Sequence, residues 1–178
     1  MSTTRTMTEA DLMALPRDGY KREYVDGEIR VSPAGFRHGN VALRLGGLLI
    51  AYVEAHGLGY AADSSTGFWM PSGNLRLPDL SFVSTARMPD GPPTGFSRIV
   101  PDLAVEILSP GDRHREVLDK VGEYVTSGVR LVWIIDPDAR RAAVHRSLVD
   151  VTTLCEDDEL DGLDVVPGFR CKLATIFG

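Results

Sequence analysis

The sequence is short of the features that mark several common protein classes. It has no apolar run near the roughly 18 residues of a membrane-spanning helix, so no membrane span is expected. Residues 1–16, MSTTRTMTEADLMALP, carry acids and no continuous hydrophobic stretch. That is unlike a secretory signal, and a cytoplasmic protein is the expectation. Only two cysteines occur, Cys155 and Cys171, without metal-type spacing. Free thiols are expected rather than a disulfide framework. Internal repeats, low-complexity tracts and long linkers are absent. Aromatic residues are 7% of the chain and do not interleave with basic ones, which argues against a stacking platform for single-stranded nucleic acid. Nor is there a basic excess: the net charge is −6, against a simple basic nucleic-acid binder. That deficit is local. Residues 148–178 hold seven acids against Arg170 and Lys172, a net of −5, whereas the other 147 residues hold 18 acids and 17 bases. The acidity describes one segment and bears on solubility more than on a site.

What is present is an ordinary globular composition, 43% hydrophobic and 25% charged. A length of 178 residues favours one domain over 1–178, with a helix and lead-in at 1–19 and the acidic segment at 148–178. Thr8 and Asp11 form a capping-box-like start for a short helix over 8–15, which stops at Pro16. Apolar residues flank Asp26-Gly27, a hairpin signal. Val41, Leu45, Leu48, Leu49 and Tyr52 recur at helical spacing up to Gly57, so 38–57 is a core helix. Residues 67–84 read as two strands around Ser72-Gly73-Asn74, the second near 79–84. A Pro/Gly loop over 87–98 suits a surface rim. A strand over 102–108 is followed by a helix with Val117, Leu118, Val121, Tyr124 and Val125 inward and Gly128 as C-cap. The continuous apolar run 129–136 is a central strand, and 151–157 is a candidate further strand. The acidic run 156–161 reads as a solvated loop. Strand–helix–strand over 102–136 makes a βαβ unit, and the expected fold class is mixed α/β (α+β), a central sheet flanked by helices.

One residue breaks the apolar pattern of the strand PDLAVEILSP at 101–110. Glu106 sits among Leu103, Ala104, Val105, Ile107 and Leu108. An ionised carboxylate there costs several kcal/mol unless something compensates it. Strand alternation puts Asp102, Ala104, Glu106 and Leu108 on one face; in PDLSFV it puts Asp79, Ser81 and Val83 together. If these strands pair, Asp79 and Glu106 converge. On a helical wheel Lys120 lies about 60° from Val117 and about 40° from Tyr124, so it flanks the buried stripe and can reach back to Glu106. Two acids and a lysine make chemical sense together. Mg²⁺ takes one or two carboxylates and keeps waters and phosphate oxygens as its other ligands, and a lysine can orient a nucleophile or offset phosphate charge.

The blocks RLPDLSFV, PDLAVEILSP and DKVGEYVTSGVRLVWIIDPDARRAAVHR, with REYVDGEIRVSP and His38 upstream and VVPGF downstream, resemble the bacterial putative-restriction-endonuclease family of the PD-(D/E)XK nuclease superfamily. The likeness covers roughly 20–178. It implies a restriction-endonuclease-like fold and a metal-dependent endonuclease acting on DNA. Asp79 and Glu106 match the motif's acids. The lysine usually lies two residues after the second acid, where this chain has Leu108; the family places it on the following helix, and Lys120 matches. The likeness further implies Mg²⁺ (or Mn²⁺) held by Asp79, Glu106 and the Ile107 carbonyl, auxiliary roles for Glu23, His38 and Tyr124, and a homodimer.

Plainer readings stand beside these. Glu106 could be satisfied by backbone amides or an arginine, Asp79 could begin a strand, and Lys120 could snorkel from its helix. Glu23 could make a cross-strand ion pair, and His38 could merely start a helix. The whole chain could also be a catalytically silent nucleic-acid-binding or protein-interaction module on the same fold. Asp102 lies about 13 Å along the strand from Glu106 at 3.3 Å per residue and is left out of the site.

Overall fold

Side-chain alternation and helix periodicity together build the layers. The computed structural model describes residues 7–16, 18, 20–32 and 35–178. In chain order the elements are α1 (Glu9–Met13), β1 (Lys21–Val25), β2 (Glu28–Ser32), α2 (Phe36–Ala55), β3 (Gly59–Asp63), β4 (Phe68–Trp69), β5 (Leu75–Arg76), β6 (Leu80–Ser84), β7 (Leu103–Ile107), α3 (His114–Thr126), β8 (Leu131–Asp136), β9 (Arg141–His145), β10 (Val151–Cys155), β11 (Glu159–Asp161), β12 (Arg170–Lys172) and α4 (Leu173–Phe177).

The main sheet has six strands in the order β10-β9-β8-β7-β6-β3. β7 and β8 run parallel, joined by α3, and the other neighbours run antiparallel. The mixed α+β class and the βαβ unit are therefore as the sequence indicates. β8 is central and its first five residues are buried. On one face, Val41, Leu45, Leu49 and Val53 of α2 pack on Leu103, Val105, Ile107, Leu131, Trp133 and Ile135. On the other, Val121 and Tyr124 of α3 pack with Ala104, Val132 and Ile134. Odd and even residues of β7 thus serve different cores, as period-2 alternation requires. Gly46 brings α2 close to the sheet: a Cβ there would lie 2.8 Å from Leu80 Cδ2.

A smaller sheet, β2-β1-β5-β4, lies beside the first. Its β1–β2 hairpin turns at Asp26 and Gly27, both with positive φ (53° and 86°), the backbone a two-residue turn of this hand demands. Thr8 and Asp11 form the expected capping box of α1. The Glu9 carboxylate accepts from the Phe96 N–H and the Trp69 indole, pinning α1 across the Pro/Gly loop.

Several local expectations need correction. Leu48 and Leu118 face outward (39% and 49% exposed), and the buried stripe of α2 is Val41, Leu45, Leu49 and Val53. The apolar stripes are wider than the faces the sheet can cover. The second strand expected near 79–84 is β6, in the main sheet, and a further short strand that was not expected, β5, pairs back onto β4. Pro78 lies between them and has no N–H for a ladder. The acidic run is not all loop, because β11 carries Leu160 fully buried and pairs with β12. β3 is an additional edge strand.

Candidate active site

β6 and β7 pair antiparallel with Leu80 opposite Val105. One residue further, that register sets Asp79 across from Glu106, and the Asp79 N–H donates to the Val105 carbonyl at 2.9 Å. Both carboxylates are buried, 3% and 6% exposed. α3 follows β7 and leans over this end of the strand, and β1 of the small sheet approaches from the other side. Six of the anticipated residues meet here: Asp79, Glu106, Lys120, Glu23, Tyr124 and His38, the third residue of α2. An open cleft of about 1100 Å³ is lined by Asp79, Glu106, Ile107, Lys120 and His38.

Asp79 is held by three donors. Its Oδ2 accepts from the Ile107 N–H at 2.7 Å and lies 3.0 Å from His38 Nε2; its Oδ1 accepts from Lys21 Nζ at 2.7 Å. Burial opposes its charge, but His38 and Lys21 outweigh burial and hold the carboxyl well below the usual range. Glu106 is held differently. Its Oε1 accepts from the Tyr124 hydroxyl at 2.6 Å, and its Oε2 lies 3.2 Å from Lys120 Nζ and 3.7 Å from Lys21 Nζ. Burial dominates and, with the neighbouring acids, raises Glu106 above the ordinary carboxylate value despite both lysines. Lys120 and Glu106 do not shift as a simple ion pair. Burial disfavours the Lys120 ammonium too, yet Glu106 and Glu23 hold its proton more tightly than usual. Glu106 is an acid whose charge is still incompletely compensated by the chain.

Glu23 ties the two sheets together. Its Oε1 accepts from the Leu77 N–H at 2.9 Å, and its Oε2 is 3.2 Å from both Arg76 Nη1 and Lys120 Nζ. Burial pushes Glu23 up, but Lys120, Lys21 and Arg76 bring it below the ordinary value. Arg76 in turn donates to Glu123 at 2.5 Å, and Glu123 also accepts from Ser72 and Asn74. Lys21, Arg76 and Glu123 are site residues that the sequence reading missed. One signal for Lys21 was available: it lies two residues before Glu23 on β1 and so shares its face.

The donor set suits a hard divalent ion. Two carboxylates converge, and a cationic ammonium already bridges them, so the position favours positive charge. Among the described residues no group of three or more His, Cys, Asp and Glu side chains forms a metal cage. Two carboxylates with the remaining positions left to water and substrate is the pattern Mg²⁺ uses. Ile107 lines the cleft, and its N–H already donates to Asp79. Asp102, at the far end of β7, accepts from the Ser84 N–H and Arg87 and stands apart from the cluster. Among the described residues no helix is long and apolar enough to cross a membrane.

No curated protein matches this chain. The fold is similar to the crystal structure of a putative nuclease belonging to DUF820 from Anabaena variabilis, with a TM-score of 0.83 and 20% sequence identity, covering 96% of this chain and 97% of that one. At that identity the likeness speaks for the fold. Residues 9–174 match the Uma2 family, whose description is putative restriction endonuclease. With that match spanning nearly the whole sequence, the chain belongs to the Uma2 family.

Proposed function

We propose that this protein is a metal-dependent endonuclease that hydrolyses DNA phosphodiester bonds, with Asp79 and Glu106 as ligands to Mg²⁺ or Mn²⁺. Family membership supports a nuclease-like function. The observation that carries the finer reading is the convergence of two buried carboxylates and Lys120 at the wall of an open cleft. The Ile107 carbonyl is the further ligand in this reading. A bound divalent cation supplies charge compensation for the phosphate and lowers the pKa of a coordinated water. The chain's own residues supply position. The Ile107 N–H and His38 fix Asp79, and the Tyr124 hydroxyl fixes the rotamer of Glu106. Such outer hydrogen bonds orient ligands that would otherwise lose affinity by rotating. Lys120, its ammonium shared between Glu106 and Glu23, is placed to orient the attacking water or to meet the charge gathering on phosphate.

The test is cleavage of supercoiled plasmid and of short single-stranded DNA with Mg²⁺ or Mn²⁺, comparing wild type with Glu106→Gln and Lys120→Ala. Metal-dependent cutting by wild type and its loss in both variants is the expected result. Equal cutting by all three would overturn the site. The second reading, a silent nucleic-acid- or protein-binding module, is favoured by one observation: each Asp79 oxygen already has a partner within the chain. DNA binding indifferent to Mg²⁺, with no cutting, is what that reading expects. Self-association as a homodimer is part of the proposal, supported by Phe36, Leu43 and Ile50, exposed at 93%, 76% and 41% along α2. Light scattering after size exclusion measures it.

A further inference from the structure

Lys21 is a partly buried cation to which the proposed hydrolysis gives no role. Lys21 Nζ lies 2.7 Å from Asp79 Oδ1 and 3.7 Å from Glu106 Oε2, so it bridges the two proposed metal ligands. Its side chain is 15% exposed and lines the cleft. The choice of residue is informative. The chain has 16 arginines and three lysines, Lys21, Lys120 and Lys172, and two of the three stand here. Arginine locks a carboxylate with a rigid planar fork, as Arg22 does with Asp18. Lysine is a compact point charge on a flexible stem and can leave without breaking a bidentate pair. The charges count the same way. Glu23, Asp79, Glu106 and Glu123 face Lys21, Lys120 and Arg76, four acids against three cations and a net of −1. A divalent ion added with Lys21 in place would set two positive centres against the same oxygens.

We propose that Lys21 is a counter-ion that closes the Asp79–Glu106 pair, and that a divalent metal binds by displacing its ammonium into the cleft. The inference rests on the reading of Asp79 and Glu106 as metal ligands. Lys21 in this role is a positioning residue: it sets when the pair is open. The cost falls on metal affinity, since a site open one time in ten binds about tenfold more weakly than the open form.

Mn²⁺ titration followed by electron paramagnetic resonance tests this on the full chain. Lys21→Met is expected to bind Mn²⁺ about tenfold more tightly than wild type. Lys21→Arg is expected to bind more weakly than wild type, and Asp79→Asn to lose the site. Unchanged or weaker binding in Lys21→Met, with the site still lost in Asp79→Asn, would overturn the counter-ion role and leave the metal-ligand reading standing. No Mn²⁺ bound at Asp79 in either wild type or Lys21→Met would overturn both. Wild type provides a second readout that needs no variant. Mild reductive methylation followed by peptide mass spectrometry should find Lys21 slow without Mn²⁺ and faster with it, against exposed Lys172 as the reference. Labelling of Lys21 that ignores Mn²⁺ would overturn the proposal even if Lys21→Met fails to fold.

Discussion

β7 and the residue that precedes it present two buried carboxylates on the same face, four residues apart, and they differ in who holds them. Asp102 is fully buried and accepts from a backbone amide, Ser84 N–H at 2.8 Å, and from Arg87 at 3.0 Å. Glu106 accepts from a phenol and a lysine and faces an open cleft, with a second lysine in ion-pair range. The first is a closed structural acid, tying β6 to β7. The second is held by a buried phenol and by lysine ammoniums on flexible stems, with no backbone donor. Burial of an acid is therefore a poor guide to chemistry. The identity and mobility of its partners are a better one, because fixed backbone donors complete a site and side-chain cations only occupy it.

The largest effect expected from this contrast is on cleavage. Asp79→Asn and Glu106→Gln should each lower the metal-dependent rate about a thousandfold, the scale of several kcal/mol of lost charge stabilisation. Asp102→Ala should leave the rate per folded molecule unchanged and lower stability by about 2–3 kcal/mol, because the Ser84 N–H is left buried without a partner. Urea denaturation measures that loss. A cleavage defect in Asp102→Ala with full folding would break the contrast.

Stability sharpens it within the site. Asp79 is held below the ordinary carboxylate value, so its contribution is full above the unfolded value and is lost as pH falls through the folded one. Glu106 is raised, so stability is full below the unfolded value and is lost as pH rises through the folded one. Near neutral pH, Asp79→Asn should lower Tm, whereas Glu106→Gln should raise it, by about 2–4 °C for each kcal/mol recovered. Thermal melts of the two variants without metal decide the sign. Tyr124→Phe removes only the 2.6 Å hydrogen bond to Glu106. It should weaken Mn²⁺ binding about tenfold, the lower end for an outer-shell partner. The smallest effect concerns the thiols. Burial pushes Cys171 up to about 11, and Cys155 is exposed. One equivalent of thiol should react with a disulfide reagent at pH 8 in the native protein, and the second only after unfolding.

Much of this site was legible in the sequence, because it rests on two exact periodicities. Alternation along 79–83 and 102–108 put Asp79 and Glu106 on one face, and helical spacing put Lys120 beside the Tyr124 stripe. The main fold class followed from the same patterns. What was not legible depends on long-range pairing. β3, with Gly59, Ala61 and Ala62, has little strand propensity and exists because β6 offers it an edge. Lys21 and Arg76 join the site only once β1 pairs with β5, where the Leu77 N–H reaches Glu23, 54 residues away. Leu160 hid within an acidic run whose charges point outward while it alone turns in.

The change of sheet at Pro78 has a mechanical consequence. Asp79 and Glu106 belong to the six-stranded sheet and are fixed to each other by its ladder. Lys21 and Glu23 ride on the four-stranded sheet. Asp79 and Glu106 thus face Lys21 across a seam crossed by side chains. A slide of an ångström along that seam would lengthen the Lys21 contact while leaving every main-sheet hydrogen bond intact. The fold gives the chemistry one rigid jaw and one adjustable jaw.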